Sequence, residues 1–407
     1  MPLSFYTILA AQFFSALADN ALLPAAIALL IELSAPKAYV PILQVFFVVS
    51  YIVFAPFVGA FADAMPKGRV MFISNGIKLI GCLAMLFGVH PLLAYGIVGF
   101  GAAAYSPAKY GILTELLPPS KLVTANAWME GATVGAIILG LGLGGYLQNG
   151  SLYAKLGFLQ GIPLLHSPAA MTVAMICGLY VVAALFNLYI PELPIDHKLA
   201  KKNLFYVLHD FWHCFTLLWR DPLGQVSLAV TTLFWGVGAT LKIVIIDWAQ
   251  KVLGFGLDKA TYLTIAVAVG IAIGAAIAAL TITLEKSVKV LPVGIIMGAL
   301  VVLMVFVHDW RIAVVFFILI GTVAGFFVVP MNALLQHRGH TLMGAGHSIA
   351  VQNFNENLSI AGLNAIYAGM VATQFSINTI TVLFGLFIAG VMYWLYLRHR
   401  NDVPLAH

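Results

Sequence analysis

Charge is what this chain lacks most. Only 9% of its 407 residues are charged, against 62% apolar, whereas a soluble domain carries about a quarter charged residues. That deficit excludes an ordinary water-soluble fold. Cysteine is nearly absent: Cys82 and Cys177 sit in apolar runs and Cys214 in a central polar segment, so no extracellular disulfide framework is implied. No G-x-x-x-x-G-K-[ST] loop occurs, which removes P-loop ATP hydrolysis as an energy source. Neither a G-x-S-x-G elbow nor an H-x-x-x-x-D pair occurs, and Gly346-His347-Ser348-Ile349-Ala350 only echoes the first; a membrane-bound acyltransferase or lipase is the weaker reading. His209 and His213 are four apart but have no third ligand in sight. They fit better in an amphipathic helix with Phe205, Leu208, Trp212 and Phe215 toward a membrane, and neither metal nor cofactor is expected.

What the chain has is apolar length. With a mean hydropathy of +1.01, runs long enough to cross a bilayer fall at 4–32, 40–62, 70–89, 91–117, 121–147 and 168–190, then at 222–248, 260–284, 288–307, 311–336, 343–371 and 376–397, each near the 20 residues that a helical span needs. The first lacks a basic flank and a small-residue cleavage site, so it reads as a retained span. Two groups of six predict an all-α integral membrane protein of twelve transmembrane helices in two pseudo-symmetric halves: an N-terminal half at 1–190, a cytoplasmic inter-half linker with an amphipathic helix at 191–221, and a C-terminal half at 222–407. Lys and Arg number twelve on the side shared by both termini and the linker, against five on the other, which predicts cytoplasmic termini. The net charge of +5 is therefore a topology signal and implies no nucleic-acid partner.

The halves rhyme. Ser106-Pro107-Ala108-Lys109 and Ala125-Asn126-Ala127-Trp128-Met129-Glu130 return as Val329-Pro330-Met331-Asn332 and Val351-Gln352-Asn353-Phe354-Asn355-Glu356, 223 and 226 residues later. Such an internal repeat is the mark of a secondary transporter. Gly131/Gly135, Gly140/Gly144 and Gly270/Gly274 have the spacing that lets membrane helices approach closely.

An ionised side chain near the bilayer centre costs at least about 2.5–3.5 kcal/mol on insertion scales, so each one kept there needs a partner or a wet cavity. Asp19, Lys78, Lys109, Glu130, Lys242 and Glu356 are such residues. Three acids and three cations suit internal pairing and equally a zwitterionic substrate. Lys109 and Glu130, at one level of neighbouring spans, read either as a structural pair or as transport groups. Asp19 and Lys242, on the first span of each half, read as cavity-lining; Lys78, on the third span, reads as support for a neighbouring acid. Asn126/Glu130 and Gln352/Glu356 each put an amide and an acid on one helical stripe, with Asn353 and Asn357 beside the second. The counterpart of Lys109 is Asn332.

Gly59-Ala60-Phe61-Ala62-Asp63-Ala64-Met65-Pro66-Lys67-Gly68-Arg69 resembles the G-x-x-x-D-x-x-x-[KR]-x-[KR] signature of the major facilitator superfamily, implying a conformational latch of Asp63, Lys67 and Arg69. Ala18-Asp19-Asn20-Ala21-Leu22, the stretch from Ala104 to Leu113, Leu233-Phe234-Trp235-Gly236, the stretch from Val328 to Gln336 and that from Ala350 to Asn357 together resemble the bacterial lysophospholipid transporters of that superfamily. The resemblance implies a protein of the bacterial inner membrane, moving lysophosphatidylethanolamine from outer to inner leaflet without ATP, where a cytoplasmic-side lysophospholipid acyltransferase rebuilds the diacyl lipid; a monomer among membrane lipids is expected. Lys242 stands where the resemblance implies arginine.

The charges and the resemblance meet at the head group. Lys109 or Lys242 is expected to attract its phosphate, Asp19, Glu130 or Glu356 its ammonium, and Asn20, Asn332, Gln352 and Asn353 to supply neutral hydrogen bonds, with Lys78, Tyr105, Asn126 and Asn357 in support. The rival within transport is a proton-coupled exporter of amphipathic drugs or metabolites, with Asp19, Glu130 or Glu356 carrying the proton.

Overall fold

A computed structural model describes residues 1–36, 39–155, 162–194 and 203–400. Lys37, the linker charges Asp196, Lys198, Lys201 and Lys202, and the tail after 400 lie outside the described residues. Among the described residues the regular structure is helical, with no strand. In order the helices are α1 (Leu3–Glu32), α2 (Tyr39–Val53), α3 (Ala55–Ala64), α4 (Lys67–Leu86), α5 (Pro91–Leu116), α6 (Leu122–Leu147), α7 (Gly150–Lys155), α8 (Pro168–Leu188), α9 (Leu204–Arg220), α10 (Pro222–Val252), α11 (Leu257–Thr281), α12 (Leu291–Leu303), α13 (Trp310–Met343), α14 (Ala345–Ala372) and α15 (Ile377–His399).

Among the described residues nine helices are long and apolar enough to cross a membrane, or ten when α2 and α3, bent by 62°, count as one broken span. The break sits at Phe54, and Pro56 in the first turn of α3 takes one backbone donor out of the continuing ladder. α5 and α14, at 26 and 28 residues, have the length and fall short in apolarity. Glycine, tyrosine and serine dilute α5; asparagine, glutamine and glutamate dilute α14. With these two the helices are consistent with the expected twelve spans, and the two less apolar ones hold Lys109, Gln352, Asn353 and Glu356.

The chain packs as two compact units. One comprises Met1–Leu116, Gly135–Trp212 and Met343–Asn353; the other comprises Leu117–Val134, His213–Leu342 and Phe354–His407. In the first, α1 packs on α8, α4 on both α5 and α8, and α2 and α3 on α5. Its core sets Ala18, Ala21, Leu22 and Ala25 of α1 against Val173, Ile176 and Tyr180 of α8. Lipid tails are as apolar as leucine, so helices in a bilayer associate through close packing, which small residues permit. Gly140 and Gly144 of α6 follow the same logic, since a Cβ on either would meet the Leu17 or Ala21 carbonyl of α1.

In the second unit α12 packs on α15, and α10 on α11 and α15. Here Gly270 and Gly274 of α11 oppose Gly321 and Gly325 of α13, and a Cβ on any of the four would strike the facing backbone. The third glycine pair behaves differently: Gly131 faces open space and Gly135 meets only the Phe13 ring. That pair carries no close helix contact.

Candidate functional site

In the first unit, α1 turns Gln12, Ser15, Ala16 and Asp19 toward a small polar pocket, and α5 turns Ala102, Tyr105, Ser106 and Lys109 toward it. Both sets follow the three-and-four spacing of one helical face. Tyr51 of α2 and Lys78 of α4 complete the wall. Lys78 is 1% exposed; its Nζ donates to Asp19 Oδ2 at 2.7 Å and to Ser15 Oγ at 3.0 Å. Tyr180 of α8 donates its hydroxyl to Asp19 Oδ1 at 2.7 Å. Ser15 in turn donates to Asn75 Oδ1 at 2.8 Å, and the rings of Tyr105 and Tyr180 lie 4.8 and 5.7 Å from the ammonium. Both carboxylate oxygens are thus engaged, which is what a charge held in apolar surroundings requires. Gly101 makes room for this arrangement, because a Cβ there would strike the Lys78 stem and the Ser74 carbonyl.

The other expected residues of this unit are distributed around that centre. Lys109 is half-buried, with Nζ 4.2 Å from the Tyr110 ring centre. Asn20 donates to the Ala16 carbonyl of its own helix at 2.8 Å. Asn353 of α14 donates to Ser106 Oγ at 2.9 Å, and the hydroxyl returns a 3.3 Å bond to Asn353 Oδ1. Gln352 is buried beside it in sequence.

A second cluster forms where α3 and α5 end and α4 and α14 begin, beside the middle of α9. Lys67 Nζ reaches Asp63 Oδ1 at 2.6 Å and Glu115 Oε1 at 3.2 Å. Asp63 also accepts the backbone N–H groups of Gly346 and His347, both at 2.9 Å, so its charge sits on the α14 N-terminus, where the helix dipole favours an anion. His347 Nδ1 lies 2.6 Å from Asp63 Oδ2 and its Nε2 3.2 Å from Asp210 Oδ2 of α9. An imidazole facing a carboxylate on each side satisfies both only when each nitrogen carries a proton. Arg69 stands outside this cluster, with an exposed pair to Glu192 at 2.6 Å.

In the second unit Asn126 of α6 and Gln336 of α13 exchange two amide bonds, at 2.8 and 2.7 Å. Glu130, Asn332 and Glu356 are buried, and Asn357 is half-buried. Trp219 donates to Asn355 Oδ1 at 3.3 Å. Lys242 is exposed on α10 and forms no ion pair among the described residues. Asp221, which caps α10, takes a two-pronged contact from Arg338 at 2.6 and 2.9 Å and the Gly224 N–H at 2.9 Å. Burial pushes its carboxyl upward, but the Arg338 guanidinium and the backbone donors outweigh that and hold it below the usual carboxylate range.

Lys109 belongs to the first unit and Glu130 to the second. Tyr180, Gly101, His347, Asp210, Glu115 and Gln336 were not among the residues that the sequence singled out. His347 offered a signal, an ionisable group in a predicted span; Tyr180 and Gly101 offered none. Among the described residues no group of three metal-ligating side chains assembles.

A family model of the Major Facilitator Superfamily matches residues 8–362. The chain belongs to that superfamily. Within it, the lysophospholipid transporters LplT of Shigella sonnei (strain Ss046) and Escherichia coli (strain SMS-3-5 / SECEC) are each 42% identical over 396 residues, 97% of this chain and 95% of theirs. Among solved structures, the human organic anion transporter MFSD10 (TETRAN) superposes with a TM-score of 0.75 at 14% identity, over 98% of this chain and all of its own. The E. coli fucose:proton symporter FucP gives 0.73 at 14%, over 97% and 98%. At that identity the likeness is one of fold alone. As a member of the superfamily the chain is a multi-pass membrane transporter and not an enzyme.

Proposed function

We propose that this chain transports lysophospholipids, chiefly lysophosphatidylethanolamine, from the outer to the inner leaflet of a bacterial inner membrane, and that the pocket around Asp19 receives the head group. The observation that carries the reading is the composition of that pocket: two cations, Lys78 and Lys109, and one acid, Asp19, among hydroxyls and apolar helices. A phosphate oxygen suits Lys109, while Asp19, anchored by Lys78 and Tyr180, keeps lone pairs for an ammonium. The 42% identity to lysophospholipid transporters supports the same substrate class. Lys242, Glu130, Asn332, Gln352 and Glu356 are further contacts for the substrate along its path.

The acyl chain stays in apolar surroundings throughout, because bringing it into water costs about 0.8 kcal/mol per CH₂. Alternating access of the halves 1–190 and 222–407 moves the head group, with Asp63, Lys67 and Arg69 latching the cytoplasmic ends, both termini on that side, and no ATP consumed. The protein acts as a monomer and hands its cargo to a lysophospholipid acyltransferase on the cytoplasmic face. Uptake of labelled lysophosphatidylethanolamine by proteoliposomes tests this. Uptake should persist under an uncoupler and vanish in the Asp19→Ala/Lys242→Ala double variant at equal protein level. Unchanged uptake in that variant contradicts the assignment; proton movement that depends on substrate favours the exporter.

A further inference from the structure

The chain has three cysteines, and two of them meet. Cys82 of α4 and Cys177 of α8 are free thiols, 0% and 9% exposed, in the core that joins α1, α4, α5 and α8. Their side chains hydrogen-bond to one another. Neither lines the pocket around Asp19. A free cysteine packs as a small hydrophobe, so packing alone does not account for a facing pair.

The place of the pair on its two helices gives it leverage. Lys78 lies four residues before Cys82 on α4, and Tyr180 three residues after Cys177 on α8, so each thiol shares a helical face with one of the two residues that hold Asp19. The rung formed by Cys82 and Cys177 is followed one turn on by the rung of Lys78 and Tyr180, where the ammonium stands 5.7 Å from the ring. Both contacts to Asp19 are 2.7 Å, so a shift of about 1 Å between the helices takes one of them out of hydrogen-bond range. A covalent bond between two sulfurs is much shorter than a contact between two thiols, and it fixes the torsion about itself. Forming it draws α4 and α8 together at that rung or turns both side chains, and the neighbouring rung moves with them.

We propose that Cys82 and Cys177 form a reversible oxidation site, that a small neutral peroxide is the oxidant, and that the resulting disulfide loosens the anchors of Asp19. The consequence for lysolipid binding rests on the head-group reading above; the disulfide itself does not. Cys177 is the entry point: it is the more exposed of the two, Met175 near it is 44% exposed, and Gly178 beside it faces open space. Its sulfur takes an oxygen from hydrogen peroxide, giving a sulfenic acid and releasing one water. The Cys82 sulfur then displaces the hydroxyl from that sulfenic sulfur. The S–S bond forms, the S–O bond breaks, and the hydroxyl leaves as a second water with the Cys82 proton. The two thiols thus give two electrons to the peroxide, and a dithiol reductant returns them.

The test uses the purified full-length protein in detergent, reduced and then exposed to hydrogen peroxide, with thiols counted by N-ethylmaleimide labelling after denaturation and intact mass. The reduced wild type should carry three adducts and the oxidised protein one, whereas oxidised Cys177→Ala should carry two; Cys82→Ala serves the same purpose should Cys177→Ala not fold. Three adducts after oxidation, or sulfinic and sulfonic acids at Cys82 and Cys177 in place of the link, overturn the site. Coupling to Asp19 is read without substrate from melting temperatures. Tyr180→Phe should melt below the wild type when both are reduced, and the gap should shrink when both are oxidised, because the anchor is then already disengaged. A gap that stays the same overturns the coupling. Affinity for lysophosphatidylethanolamine should fall about tenfold on oxidation, the loss of one hydrogen bond to a charged group, and return with dithiothreitol, while Cys177→Ala responds to neither reagent. Affinity that oxidation leaves unchanged overturns the effect on binding. If the reduced wild type does not bind lysolipid, the head-group reading fails, and the thiol counts and melting gaps still decide this proposal.

Discussion

Replacing Lys78 by methionine removes the cation from Asp19 while keeping most of the buried stem that passes Gly101. In the native chain that ammonium is 1% exposed and sits 2.7 Å from Asp19 Oδ2. Taking one partner out of a buried pair leaves an uncompensated charge and costs about 3–5 kcal/mol. Asp19, whose side chain is 20% exposed, recovers part of that from water, so the lower end of the range is expected. Tyr180→Phe removes the second anchor, a neutral donor to a charged acceptor, at about 1.5–3 kcal/mol. Combining Lys78→Met with Asp19→Asn should cost less than Lys78→Met alone, because the orphaned charge disappears with its partner. Thermal unfolding of the purified proteins in one detergent reads all three. If Lys78→Met melts with the wild type, or the double variant melts below the sum of its singles, Asp19 and Lys78 are not an internally compensated pair and the head-group assignment loses its anchor.

Other consequences follow from the same contacts. His347→Gln keeps one bond toward Asp63 but cannot reach Asp210 as well, so amide hydrogen exchange in α9 should accelerate while that in α1 does not; unchanged exchange in α9 would mean that the linker helix is held elsewhere. Gly274→Leu puts a side chain where α11 meets the α13 backbone, and overpacking of this kind costs about 1–3 kcal/mol or more, whereas Gly131→Leu, facing open space, should melt with the wild type. Asp221 is held below its ordinary value, so its contribution is complete above the unfolded carboxylate value of about 3.9 and is lost only as pH falls through the lower folded value. The difference in melting temperature between wild type and Asp221→Asn should therefore stay constant between about pH 8 and pH 5 and close on further acidification.

Much of the fold was legible because the bilayer dictates length and apolarity together. The runs at 4–32 and 168–190 correspond to α1 and α8 almost residue for residue, since the few polar residues within them, Asp19 among them, leave the apolar length unbroken. The bend at Phe54 was not legible, because local apolarity is the same on both sides and only Pro56 hints at it. The charged residues were visible for the same reason that their burial is costly. Their pairing was not, because it depends on which helices neighbour one another. Lys78 meets Asp19 across 59 positions and Tyr180 meets it across 161, distances over which no periodicity reaches. Tyr180 gave no sign at all, being one of two aromatics in an apolar helix. His347 is the instructive omission: it stands inside a partial G-x-S-x-G echo that was given no role, and its two carboxylate neighbours come from α3 and α9, elements remote in sequence.

The central claim is that the pocket around Asp19 binds the substrate's phosphate through Lys109. Affinity of purified protein for lysophosphatidylethanolamine, measured for the wild type, Lys109→Arg and Lys109→Gln, tests it most directly. Losing one charge-assisted hydrogen bond corresponds to about a tenfold or greater rise in Kd for Lys109→Gln, with Lys109→Arg restoring most of it. Equal affinity in all three proteins would contradict the account.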